Sequence, residues 1–100
     1  MAEYNVKIYP AAQNDLLDIL EATAPNTPEA AELNFRTITE KLTPLASTPE
    51  SFPLARDTLL RIRGYRTLQV GSFIVFFVIR GKTVELHRIL CAKRQYARLL

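Results

Sequence analysis

Arginines 66 and 88 are the side chains of this chain best placed to do chemistry. Each stands inside a short apolar run near a tight turn. Alternation along a strand puts Arg66 on the same side as Leu68 and Val70, and Arg88 on the same side as Leu86 and Leu90. A guanidinium rising from an apolar face needs solvent or an anion, because burying it unpaired is costly. Its planar fork suits a phosphate, which it can grip with two parallel hydrogen bonds. Arg61 and Arg63 lie just before Gly64 and could join such a patch, and Lys93 and Arg94 follow the apolar run and could close it. The competing reading is a set of aliphatic stems with their charged heads in water. His87, the only histidine, could serve as a general base, or could be a partnered surface residue. Tyr96 could donate a proton, stack on a base, or anchor the C-terminal segment.

Charge is divided sharply along the chain. Residues 1–55 carry three Lys/Arg against eight Asp/Glu, a balance of −5, and residues 56–100 carry ten against two, a balance of +8. The sum is the net +3 of the whole chain. A positive C-terminal half suggests a polyanion or an acidic protein as partner, or else a solvated basic face.

Other classes of function are disfavoured. The basic half has no cluster of acids to hold a hard metal, and a single cysteine, Cys91, makes neither an internal disulfide nor a cysteine zinc site. Gly64, Gly71 and Gly81 fit turns, not a phosphate-binding loop. No cofactor is therefore expected. No apolar run approaches a membrane span, and the first ten residues do not read as a signal peptide, so a cytoplasmic protein without membrane contact is expected.

The elements that must hold these side chains read as βααβββ in one domain over residues 1–100. EYNVKIY alternates as a half-buried strand. Pro10 opens a helix with Leu16, Ile19, Leu20 and Thr23 on its apolar side and Asp15, Asp18 and Glu21 turned to solvent. Thr27-Pro28-Glu29 starts a second helix whose stripe is Ala31, Phe35, Ile38, Leu42 and Leu45, with an end or kink near Thr43 because of Pro44. Residues 46–60 read as a loop with room for one helical turn. Residues 61–90 read as a three-stranded meander turning at Gly71-Ser72 and at Arg80-Gly81-Lys82. The central strand, Phe73 to Ile79, has no charge and suits burial on both faces. The fold class is α+β, an antiparallel sheet packed on one face by a helical hairpin.

The order βααβββ, with GYRTLQVGSFIVFFVI and VELHRILCAKRQYARLL, resembles the RelE/ParE superfamily of bacterial toxins over nearly the whole chain. These are the toxic halves of type II toxin–antitoxin modules, often labelled plasmid stabilisation proteins. The resemblance implies a cognate antitoxin that winds around the toxin. One branch enters the ribosomal A site and cuts mRNA without metal: the 2′-hydroxyl attacks the adjacent phosphate while basic side chains stabilise the growing charge. Its GYR arginine matches Arg66, its basic residue after the last strand matches Arg94, and its C-terminal tyrosine matches Tyr96. The lysine pair of that branch is absent; Arg61 and Arg63 are the nearest basic residues, in another register. The other branch poisons DNA gyrase and needs no catalytic residues. Its closing motif resembles RILCAKRQY, with Cys91 at the position of its histidine.

The sequence therefore leads to a growth-arresting toxin, with ribosome-dependent mRNA cleavage ahead of gyrase inhibition. The endoribonuclease reading makes the chain RNA-binding. Arg66 and Arg88 would clamp phosphate, Tyr96 or His87 would move the proton, and Arg61, Arg63, Lys93 and Arg94 would bind RNA. A degenerate member that only binds antitoxin is the third reading.

Overall fold

Phe73–Arg80 (β3) is the strand on which the others are laid. The computed structural model describes residues 4–23 and 27–91. In chain order the elements are β1 (Asn5–Ile8), α1 (Pro10–Thr23), α2 (Pro28–Leu42), two 3₁₀ turns (Thr43–Ala46 and Pro49–Ser51), α3 (Thr58–Ile62), β2 (Arg66–Val70), β3, and β4 (Thr83–Cys91). The sheet order is β1-β4-β3-β2. The meander β2–β3–β4 is antiparallel, as expected, but β1 lies parallel to β4, from Asn5 opposite Thr83 to Ile8 opposite Leu86. The helical hairpin lies between β1 and the meander in sequence, so β1 reaches the sheet through a long connection, which a parallel pairing requires.

β3 is apolar because both of its faces are covered. Val75 and Phe77 are fully buried against Ala12, Leu16 and Ile19 of α1 and Leu42 at the end of α2. On the other face Phe76 and Val78 are buried with Ala55, Leu60, Tyr65 and Leu90. Truncating Phe76 or Phe77 to Ala would cost about 3–5 kcal/mol, the usual effect of emptying a large core site. Gly71 and Gly81 both have φ near +60°, the left-handed region that lets a two-residue turn join twisted strands.

Several sequence expectations change in detail. α2 stops at Leu42 and continues as the 3₁₀ turn Thr43–Ala46, in which Pro44 occupies the start, where no N–H is needed. Phe35, expected in the apolar stripe, is 46% exposed. Residues 46–60 are not one loop: Pro49–Ser51 and the start of α3 give them local structure. The stretch 53–55 runs along β2, with Thr67 N–H donating to Pro53 and Ala55 N–H to Tyr65, so it shields that edge of the sheet. Arg61 and Arg63 are not in a strand; they belong to α3 and its C-cap.

The largest departure is a register shift between β3 and β4. Phe77 pairs with Leu86 but Phe76 pairs with Arg88, so His87 is an extra residue, a β-bulge. A bulge resets alternation. Leu86 therefore lies in the helix-side core and Leu90 in the opposite one, whereas unbroken alternation places both with Arg88 on one face.

Candidate functional site

The end of β4 sets the first cluster. β1 stops at Ile8 because Pro10 turns the chain into α1, and β4 runs on to Cys91 without that neighbour. The first turns of α1 bring Asp15 to the gap. Its Oδ2 accepts the Ile89 N–H at 2.9 Å and Arg88 Nε at 2.7 Å, and its Oδ1 accepts Arg88 Nη2 at 2.9 Å. One carboxylate thus replaces the missing strand and clamps a guanidinium bidentately. The pair is largely enclosed, with side-chain exposures of 23% for Arg88 and 12% for Asp15. The hydrogen bonds that Arg88 donates to Asp15 raise the Arg88 pKa, against the opposing effect of burial. Asp15 was expected on the solvent face of α1. A signal against that lay in its spacing: it falls three after Ala12 and four before Ile19, inside the buried stripe.

The bulge sets the second cluster. The His87 ring stacks on Tyr9 at 4.6 Å and meets the Tyr65 ring edge-on at 5.3 Å. Its Nε2 lies 3.2 Å from Glu85 Oε1 and its Nδ1 lies 2.8 Å from the Tyr65 hydroxyl. Glu85 also accepts Arg80 Nε at 2.9 Å. Hydrogen bonds from His87, Tyr9 and Arg80 hold the Glu85 carboxyl below its ordinary pKa, and the neighbouring carboxylate raises that of Tyr9. An ionised Glu85 calls for a proton on Nε2, which leaves Nδ1 to accept from the Tyr65 O–H. Both ring nitrogens of His87 are thus engaged, and Tyr65 is buried. Tyr9 and Tyr65 were not anticipated, whereas the i, i+2 spacing of Glu85 and His87 places the two side by side along a strand.

The third cluster lies along the outer edge of β2. Arg66 Nη1 donates to the carbonyls of Phe52 at 2.7 Å and Glu50 at 3.3 Å. Arg61 Nε donates to Ala55 O at 3.2 Å and Nη2 to Arg56 O at 2.8 Å. These two side chains stitch residues 50–56 to β2 and α3. Asp57 caps α3 by accepting the Leu60 N–H at 3.1 Å. Arg56 and Arg63 are exposed.

The expected site residues among those described are therefore drawn to different partners. Arg66 is drawn to the segment covering β2, while Arg88 is drawn across β4 to α1. His87 is enclosed by aromatic rings and Glu85, Arg61 holds backbone, and Arg63 stands in solvent. Lys93, Arg94 and Tyr96 lie outside the described residues. Among the described residues no group of His, Cys, Asp or Glu could hold a metal ion, and no helix is long and apolar enough to cross a membrane.

A helical hairpin over one face of a four-stranded sheet, with the meander last, is the architecture of RelE/ParE superfamily toxins. It aligns with a chain of the chromosomal ParDE toxin–antitoxin system of P. aeruginosa at a TM-score of 0.75 and 23% identity, over 91% of this chain and 98% of that one. It also aligns with a chain of the RelBE2 toxin–antitoxin complex of Mycobacterium tuberculosis at 0.60 and 18% identity, over 89% and 98%. No curated protein matches the sequence. The family profile for the ParE toxin of the type II toxin–antitoxin system parDE matches residues 6–96. The chain belongs to the ParE toxin family.

Proposed function

We propose that this toxin arrests growth by binding DNA gyrase in the cytoplasm, without cutting RNA, and that an antitoxin encoded beside it neutralises it. The observation that carries this reading is the engagement of Arg88 by Asp15 through two hydrogen bonds. Metal-free cleavage needs cations poised to meet a phosphate as its charge grows. Arg88 already meets a carboxylate of its own chain, and one Arg66 nitrogen is turned to two backbone carbonyls. A toxin that works by contact does not need either of them on a substrate. Membership of the ParE family favours the same reading, as gyrase is the target the ParE branch implies.

Purified toxin added in parallel to a gyrase supercoiling assay and a cell-free translation assay tests this. Supercoiling should be blocked while translation proceeds and the message stays intact. Adding the product of the adjoining reading frame should restore supercoiling. Cleaved message together with normal supercoiling would overturn the proposal in favour of the ribosome-dependent nuclease.

A further inference from the structure

Leu59, Ile62 and Arg63 follow the i, i+3, i+4 spacing of one helical face, and the Arg63 N–H donates to Leu59 O at 3.1 Å, closing that turn. This face points outward: Leu59 is 64% exposed and Ile62 75%, while Leu60 on the opposite side is buried. Leu54, just before this segment, is also exposed, at 42%. Two aliphatic side chains left open on a five-residue helix make a local apolar surface with a cation in it.

Among the described residues no ion pair forms with Arg56, Arg61, Arg63 or Arg66. Residues 56–66 hold Arg56, Arg61, Arg63 and Arg66 against one acid, Asp57. Asp57 is occupied as the cap of α3. The partners of Arg61 and Arg66 are carbonyl oxygens, which accept hydrogen bonds but carry no compensating charge. The result is a cationic region with exposed Leu and Ile side chains in it. A nucleic acid would use the charge but would gain little from aliphatic side chains, since bases stack on aromatic rings and guanidinium planes. A protein segment with acidic residues flanking apolar anchors uses both features.

We propose that the outer face of α3 docks an acidic amphipathic segment of the toxin's own antitoxin. The inference rests on the toxin–antitoxin reading above, and affinity for the antitoxin is measured apart from gyrase inhibition so that the two can fail separately. The probe is the purified product of the adjoining antitoxin reading frame. Binding to wild-type toxin and to the Leu59→Glu/Ile62→Glu double variant is measured by calorimetry. The affinity should fall about 30-fold or more, as when central apolar anchors of an interface are lost. Gyrase inhibition by the double variant alone should persist. Leu59→Ser/Ile62→Ser, which adds no charge, should weaken binding in the same direction, and thermal melts should show both variants folded. Arg63→Gln should reduce the salt dependence of binding. Unchanged antitoxin affinity in the folded variants would overturn the inference. So would loss of gyrase inhibition with antitoxin binding intact, which gives the face to the target, or loss confined to single-stranded RNA binding, which gives it to nucleic acid. Wild-type toxin that does not bind the antitoxin would overturn both this inference and the toxin–antitoxin reading beneath it. A toxin that binds it but spares gyrase would overturn only the choice of target.

Discussion

The far end of β4 and the outer edge of β2 solve similar problems with the same side chain and opposite electrostatic outcomes. At β4 a strand outruns its neighbour, and Asp15 supplies both an acceptor for the orphaned Ile89 N–H and a counter-charge for Arg88. At β2 an irregular segment must be held against the strand. Arg61 and Arg66 hold it through carbonyls and leave their charge standing. The first arrangement is closed, because donors, acceptor and charge are matched within one chain. The second is closed in hydrogen bonds but open in charge. Arginines thus serve two ends, a matched charge pair in one setting and a backbone clamp with an open charge in the other. The acceptor offered to the guanidinium decides which of the two an arginine serves.

Substitutions can break this contrast from either side. The largest effect is expected for Asp15→Ala, which strands both Arg88 and the Ile89 N–H. A loss of about 2–3 kcal/mol in urea unfolding is expected, below the full value for a buried pair because both side chains keep some solvent access. Loss under 0.5 kcal/mol, by an order-of-magnitude reading of exposed pairs, would make the cluster an ordinary surface bridge. Arg66→Ala should cost less, about 1–2 kcal/mol, since it releases carbonyls near the surface that water can reach. It should also open residues 50–56 to protease faster than Asp15→Ala does; equal cleavage would deny Arg66 its clamping role. Tyr65→Phe removes one hydroxyl from His87 and should cost about 1 kcal/mol in the same assay.

The smallest effect sharpens the role of Glu85. Its carboxyl titrates lower in the folded chain than in the unfolded one, so the unfolded state takes up the proton first as pH falls. The stability it contributes is complete above the ordinary glutamate pKa of 4.5 and is lost as pH drops below it through the folded value. Glu85→Gln should flatten that part of the stability profile. An unchanged profile would mean that the His87, Tyr9 and Arg80 contacts do not favour the carboxylate.

Much of the fold could be read from residue order. The uncharged run of β3, the glycine turns and the two apolar helical stripes give the helical hairpin, the meander and the face it covers. Phe35 escaped because a helical spacing matches several faces, and packing against α1 selects among them. The candidate site was less legible. Arg66, Arg88 and His87 were recognisable as unusual, but alternation, which rightly kept Leu90 on the Arg88 side, wrongly put Leu86 there too, since a bulge adds a residue without any sequence mark. The acceptors of Arg66 and Arg61 are backbone carbonyls, which every residue carries and no residue type announces.

The sequence alone determined the two long helices and the four strands, the charge division at residue 55 and the presence of arginines amid apolar residues, because these follow from local periodicity and composition. Tertiary structure alone decided what each guanidinium faces. Asp15 and Arg88 are 73 positions apart and are joined only by the way α1 leaves β1 beside a longer β4, and nothing in either local segment fixes that meeting.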